Sequence, residues 1–340
     1  MPVIGWTLAT LLISAAGGLT LSLFDVPAGI LMGGALAVSV AAIAGFRTSV
    51  PNRLRDGLFI LVGLTMGASV ASDTLGLVAQ WPITLAALAL ELVVIVLVCG
   101  LVLIKLFKLD KGTAYLSSFP GHLSFIIGIA SAGVGDPRQI IVIQVLRVMI
   151  LTLCVPIGAI FLPVGNYDVG MTAEPMELTT LGMVAAGCIF TGWVFSRLRI
   201  PAGYVLGSMA FATAMKLTGN FEGSLPPLLV DITFIGMGAL IGSRFAGISR
   251  AELARATVGG LLTTAITIGI VTLVAYGLTY IVDMPFGQLW LGLSPGGLES
   301  MGALAIALGY DTAFIAAHHV ARLMMLTLAI PTVALLVRKT

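Results

Sequence analysis

Charge is scarce in this chain. Its 340 residues include 17 basic and 15 acidic ones, 9% charged, where a soluble domain carries about a quarter. That is too little to cover a water-facing surface, which excludes a soluble enzyme and a nucleic-acid binder. Cysteine and histidine are rarer still, three of each. Cys99, Cys154 and Cys188 fall inside apolar runs and cannot all pair, so they read as small buried hydrophobes. Three histidines without a Cys or carboxylate pattern give no metal site, and no cofactor is expected. The roughly ten-residue alternation of a transmembrane β-barrel is missing. So is the basic n-region of a cleaved signal peptide: Met1-Pro2-Val3-Ile4-Gly5-Trp6 opens the first span. What is plentiful is apolar sequence, 59% of the chain, in runs near the roughly 20 residues that cross a bilayer. The fold class is an all-α polytopic membrane protein. Its net charge of +2 says nothing about partners, because placement of charge matters more than its sum.

The chain repeats itself. Ser118-Phe119-Pro120-Gly121-His122-Leu123 recurs as Leu293-Ser294-Pro295-Gly296-Gly297-Leu298, 175 positions later. At the same offset Asp136 meets Asp311, Arg147 meets Arg322 and Pro156 meets Pro331. Between Gly112 and Pro156 about 16 of 45 residues are identical without a gap. Upstream, Asp56, Phe59, Gly63 and Gly67 pair with Asp231, Phe234, Gly238 and Gly242. Shifted by one, Pro27-Ala28-Gly29 pairs with Pro201-Ala202-Gly203. Chance similarity of apolar helices scatters Leu matches but does not align Pro, Asp and Arg together, so the halves descend from a duplication.

Each half reads as five spans and one broken apolar segment. The expected spans are 4–23, 27–46, 55–72, 81–104 and 139–162, then 178–196, 201–219, 229–246, 256–281 and 313–336. The broken segments fall at 112–134 and 287–309. This divides the chain into a first repeat (1–163), an external acidic linker (164–177) and a second repeat (178–340). Basic residues follow the second and fourth spans of the first half (Arg47, Arg53, Arg55; Lys105, Lys108, Lys111). In the second half they follow the first and third (Arg197, Arg199; Arg244, Arg250, Arg255), and the chain ends on Arg338-Lys339. Positive charge marks the cytoplasmic side, so one repeat is inverted and both termini are cytoplasmic. The parity holds only if each Pro-Gly segment is a re-entrant hairpin. Lys216 alone sits on the wrong side.

Inverted repeats with discontinuous helices are a transporter design, with the solute site near the midplane where the breaks meet. Pro120-Gly121 and Pro295-Gly296 leave backbone groups unpaired, which a membrane tolerates only against protein or a water-filled cavity. Helix N-termini at such breaks favour anions. Arg147 and Arg322 lie near mid-bilayer, where a charge costs at least about 2.5–3.5 kcal/mol and must face a cavity, partner or ligand. Either their guanidinium forks bind a carboxylate or phosphate, or they pair structurally with a carboxylate or with carbonyls at the hairpin. Glu299 follows the second break, where the first repeat has Ser124, and either carries a coupling proton or pairs with Arg322. His318 and His319, one turn before Arg322, replace Ile143 and Gln144, and His122 stands in the first hairpin. The candidate solute site is therefore Pro120, Gly121, His122, Ser124, Arg147, Pro295, Gly296, Gly297, Glu299, His318, His319 and Arg322. Glu91 stands alone in the fourth span without a repeat counterpart. Asp56 and Asp231, near the starts of their spans, read as helix caps rather than as lining of the path.

The doubled Pro-Gly-x-Leu, followed by a turn such as Leu308-Gly309-Tyr310-Asp311 and a span containing His318-x-x-x-Arg322, resembles the AbrB duplication family of bacterial inner-membrane proteins. That family shares its name with a soluble DNA-binding regulator that this chain cannot be. The resemblance covers nearly the whole chain. The second repeat carries it best, in Ser294-Pro295-Gly296-Gly297-Leu298-Glu299 and His319-Val320-Ala321-Arg322; the first departs at His122 and Ser124. It implies a multi-pass inner-membrane protein, and it brings two labels: ammonia monooxygenase and regulator of gene expression. A copper monooxygenase needs clustered imidazoles, which three scattered histidines do not supply. The residues themselves point to a secondary transporter of a small anionic, carboxylate-bearing solute, working by alternating access at the interface of the repeats. The alternatives are a membrane protein that regulates expression indirectly and, disfavoured, an integral-membrane enzyme. The partners expected are that solute and the lipid bilayer, without nucleic acid; a homo-oligomer is left open.

Overall fold

The computed structural model describes residues 3–24, 26, 28–70, 78–121, 123–159, 175–200, 202–246 and 250–338. Among them the secondary structure is helical, apart from one isolated bridge between Pro175 and Ser224. The first half supplies α1 (Val3–Ser22), α2 (Gly29–Ile43), α3 (Asn52–Ala68) and α4 (Trp81–Phe107). It continues with α5 (Lys111–Ser118), α6 (Leu123–Ile129, extended by a π turn over Ala130–Val134) and α7 (Pro137–Ala159). The second half repeats the series: α8 (Leu178–Arg197), α9 (Gly203–Leu217), α10 (Pro227–Ser243) and α11 (Arg250–Leu278). It closes with α12 (Phe286–Leu293), α13 (Leu298–Leu308) and α14 (Thr312–Arg338).

Among the described residues, α1, α4, α8, α11 and α14 are long and apolar enough to cross a bilayer. On α4, Leu90, Val93, Leu97 and Leu101 are exposed, while Thr84, Leu88, Glu91, Ile95, Cys99 and Leu103 are buried. A helix apolar on both faces suits one side against lipid and the other against protein. This is a multi-pass membrane protein. The expected breaks are present, after Ser118 and after Leu293.

Two spans are shorter than expected. α2 and α9 have 15 residues each, rather than the 20 and 19 of the apolar runs at 27–46 and 201–219. Both start behind an alanine in the left-handed region, Ala28 (φ 56°) and Ala202 (φ 52°). Both stop at a glycine with positive φ, Gly45 (96°) and Gly219 (72°). There the amides of Phe46 and Asn220 turn back to the carbonyls of Ala41 (2.9 Å) and Met215 (3.0 Å), satisfying groups the helix end would orphan.

The expectation that Asp56 and Asp231 cap their helices is not met. The capping positions are Pro51 and Pro226, which offer no side-chain acceptor. Asp56 instead pairs with its neighbour Arg55 at 2.8 Å. The acids that do cap are Asp110, which accepts the Thr113 amide at the start of α5 (2.9 Å), and the pair Asp136 and Asp311: each of the pair accepts the amide two residues on, Arg138 and Ala313, at 2.9 Å. The recurrence of this pair in sequence is the recurrence of a helix start.

The chain divides into two compact units that do not coincide with its halves. The first comprises Met1–Val78, Thr152–Gly247 and Leu298–Ala316; the second comprises Ala79–Leu151, Ile248–Gly297 and Ala317–Thr340. In the first unit α1 packs on α2 and α8 on α9, within each half. Across halves, α3 packs on α9 and α10 on α2. Glycine permits both contacts: a Cβ on Gly63 would strike the Val205 carbonyl, and one on Gly238 the carbonyl of Leu31. These two contacts are equivalent under the repeat. Close approach over small residues is how membrane helices gain dispersion contact without a hydrophobic driving force. Lys216, the one cation that broke the charge pattern, donates to the Ala68 carbonyl at the C-terminal end of α3, where a positive charge is favoured. In the second unit α4 packs on α5 and α11, and α11 on α12.

Candidate functional site

At each break a proline follows the last carbonyls of a short helix, so no downstream amide can continue the helical ladder. The chain instead makes a three-residue turn. The Gly121 amide donates to the Phe119 carbonyl (3.1 Å) and, in the second repeat, the Gly296 amide donates to the Ser294 carbonyl (2.8 Å). The carbonyls at the ends of α5 and α12 then need donors from elsewhere.

Arginine supplies them. Arg147, on α7, donates through Nη1 to the carbonyls of Ser117 and Ser118 (both 3.2 Å) and through Nη2 to that of Phe119 (2.5 Å). Arg322, on α14, donates through Nη1 to the Ser294 carbonyl (2.6 Å) and through Nη2 to that of Gly296 (2.6 Å). Both side chains are buried, 2% exposed. Each places a full positive charge at the negative end of a helix dipole, which is favourable in itself. The residue three before each arginine adds one more donor: Gln144 Nε2 to the Leu116 carbonyl (3.0 Å), His319 Nε2 to the Leu291 carbonyl (3.1 Å). Leu116 and Leu291 are themselves 175 apart, so the duplication extends to individual hydrogen bonds.

Of the two structural roles open to the arginines, the pairing with hairpin carbonyls is the one observed. The forks are occupied by backbone, and within the two guanidinium groups only the Nε atoms are buried without a partner.

The second break carries more chemistry. Because a carbonyl can only accept, His319 Nε2 bears the proton, and its Nδ1 lone pair accepts from Arg322 Nη2 at 2.7 Å. The imidazole is therefore neutral and locked between a carbonyl and a cation. His318 Nε2 lies 2.7 Å from Thr84 Oγ1, whose hydroxyl donates to the Trp81 carbonyl (2.9 Å), so His318 is the donor to that hydroxyl. Its ring also meets Trp81 edge-on, with centroids 6.3 Å apart. Both histidines are fully buried.

Of the residues singled out in sequence, Pro120, Gly121, Arg147, Pro295, Gly296, Gly297, His318, His319 and Arg322 belong to the second unit. Gly121 approaches Leu323 and Leu326 of α14, which brings the first break near the helix that serves the second. The charges of Arg147 and Arg322 are close enough to interact. His122 lies outside the described residues, as do the side chains of Ser124 and Glu299. Two residues without a place in the sequence-based site enter here. Glu91, 1% exposed on α4, interacts electrostatically with Arg322, and both its oxygens lack a hydrogen-bond partner. Its signal was legible: it is the one acid in a 27-residue apolar span. Asp231, expected to cap, instead lines a cavity of about 340 Å³ in the first unit with Thr65, Ser69 and Ser224.

The family described as transition state regulatory protein AbrB matches residues 30–338. "Putative regulator AbrB" of Escherichia coli (strain K12) is 26% identical over 351 residues, spanning 98% of this chain and 97% of that protein. "Uncharacterized protein YhjN" of Bacillus subtilis (strain 168) is 22% identical over 345 residues, spanning 94% and 90%. With a family match over residues 30–338, nearly its whole length, this chain belongs to the AbrB family.

Proposed function

We propose that this protein is a secondary transporter of a small anionic, carboxylate-bearing solute, working by alternating access between two inverted repeats. The observation that carries the reading is the pair of helix breaks, each capped by a buried arginine, with the bonds to the Phe119 and Ser294 carbonyls equivalent under the repeat. Broken helices inside a membrane are sustained only against protein or a wet cavity, and paired breaks in duplicated halves are where transporters bind their solutes. The anionic character follows from charge. Around the breaks, the described residues of the second unit hold two buried guanidinium groups and one buried carboxylate, a surplus that an anion neutralises. The two unpartnered Nε–H donors are the groups left to meet it.

Purified protein in liposomes, offered labelled mono- and dicarboxylates under an imposed proton gradient, tests the reading. At least one acid should enter faster than into protein-free vesicles, and Arg322→Lys should weaken its apparent affinity. Equal entry of every acid with and without protein overturns the anionic transporter.

The reading also places the protein in the bacterial inner membrane, with both termini in the cytoplasm and the 164–177 linker outside. Reporter fusions that put that linker on the same side as Arg338 would refute the inversion. The regulator name of the Escherichia coli relative fits the same picture at one remove, since a change in the level of a transported metabolite alters expression. Deleting the gene and restoring the metabolite externally should then restore expression.

A further inference from the structure

We propose that Glu91 is the proton-carrying group of this protein, and that its ionisation draws Arg322 off the α12 carbonyls, releasing one helix break while the other stays capped. The purpose of such a switch rests on the transporter reading; its geometry does not.

Glu91 sits on the buried stripe of α4 between Leu88 and Ile95, and both carboxyl oxygens lack a hydrogen-bond partner. An ionised carboxylate left in that state is far more costly than a neutral one. Its compensating charge is Arg322, with which it interacts through space but makes no ion pair. Arg322 is meanwhile held by two carbonyls and the His319 ring. Its Nε–H is unpartnered, a donor not committed to the cap.

When Glu91 loses its proton, the O–H bond breaks, the proton passes to water, and one negative charge stays on the carboxylate. The guanidinium keeps its charge throughout. A carboxylate then competes with neutral carbonyls for the same donors, and its full negative charge attracts the guanidinium more strongly than a carbonyl dipole does and matches its fork bidentately. Movement of Arg322 towards Glu91 uncaps Ser294 and Gly296, and it frees the Nδ1 acceptor of His319. Reprotonation restores the cap.

The surroundings favour this one-sided device. Facing Glu91's stripe, α14 brings His318, His319 and Arg322. α5 brings Tyr115, whose ring covers Gly100, and the exposed Lys111. Between Val258 and Leu278, α11 brings no acid or base other than the phenol of Tyr276, which is exposed. On α4 itself, Cys99 is bonded to Thr263 and Thr267. Arg147, on α7, adds a second positive charge that disfavours leaving Arg322 of α14 where it is once a carboxylate is available. The residue 175 positions after Glu91 is Ile266, so the first break has no such competitor in the repeat.

Trp290 reports on the moving end. It lies in α12, its carbonyl accepts the Ser294 amide (2.9 Å), and its Nε1 donates to Thr272 (3.0 Å). Fluorotryptophan labelling gives one fluorine resonance for each of the four tryptophans, with the Trp290 signal assigned from Trp290→Phe. In wild type the Trp290 resonance should titrate with pH while that of Trp193, on α8, stays still; in Glu91→Gln both should stay still. The same Trp290 titration in wild type and Glu91→Gln, or none in either, overturns the switch. Should Glu91→Gln fail to fold, Glu91→Asp must move the titration midpoint, and an unmoved midpoint overturns it equally. In liposomes, Glu91→Gln should lose proton-driven accumulation yet retain solute counterflow. A wild-type protein that titrates as expected but moves no acid upholds the switch and overturns the transporter reading.

Discussion

The two helix breaks are built to one plan and differ in what surrounds them. At both, an arginine on the following long helix caps the terminal carbonyls, and the side chain three residues earlier adds a donor. At the first break that donor is an amide, Gln144, and among the described residues no acid acts on the arginine. At the second it is an imidazole, His319, bonded to the arginine itself, with Glu91 acting on the same cation. Duplication preserved the scaffold and let the chemistry diverge: one break is a fixed joint, the other is sensitive to protons.

The largest effect is expected where the repeats must be equal. Gly63→Val and Gly238→Val each drive a side chain into a facing backbone carbonyl. Both should abolish folded protein in detergent, read as loss of the monodisperse peak; tolerance of one alone would break the equivalence of the cross-half contacts.

Next come Arg147→Ala and Arg322→Ala. Each leaves buried carbonyls without donors, at about 1–3 kcal/mol for each one that finds no other partner. Both should lower thermal stability strongly in detergent micelles, and an unaffected variant would show its break to be wet enough to cap itself. Arg147→Lys and Arg322→Lys keep the charge but cannot hold carbonyls on two separate nitrogens, and should cost less, about 1–2 kcal/mol each.

The smallest effect sharpens the comparison most. His319→Gln gives the second break the chemistry of the first, where Gln144 already makes the same hydrogen bond. Stability should change by less than about 1 kcal/mol, because one neutral hydrogen bond replaces another. A large loss in a melting experiment would mean that the ring's second nitrogen, holding Arg322, is what the break depends on.

Much of this was readable from residue order. Apolar run length located the spans, and Pro-Gly located the breaks, because both rest on local rules of helix continuity. The depth of Arg147 and Arg322 announced that they need partners. Whether those partners are solute or backbone depends on where α5 and α12 end in space, which spacing does not encode. The same limit explains Asp231. Its position near a helix start suggested capping, but the true capping residue is Pro226, and only the folded chain puts the carboxylate on a cavity. Glu91 shows the converse: a lone acid in a span is conspicuous, yet its opposite number, Arg322, lies 231 residues away in the chain. Nor could a linear reading separate the two units, since each takes helices from both halves.

The crossed packing of α3 on α9 and α10 on α2 has a consequence for biosynthesis. When α2 and α3 leave the ribosome, the helices meant to cover their glycine faces do not yet exist. At about 5–20 residues per second, the wait for α9 and α10 is on the order of ten seconds. During that interval the nascent first half lies in lipid with its contact surfaces bare, a substrate for any protease that samples unassembled helices. A ribosome stalled before residue 203 should therefore leave a fragment that is degraded. The two halves made as separate chains in one cell should rescue each other, as an obligate heterodimer whose seam is the one that the single chain now closes upon itself.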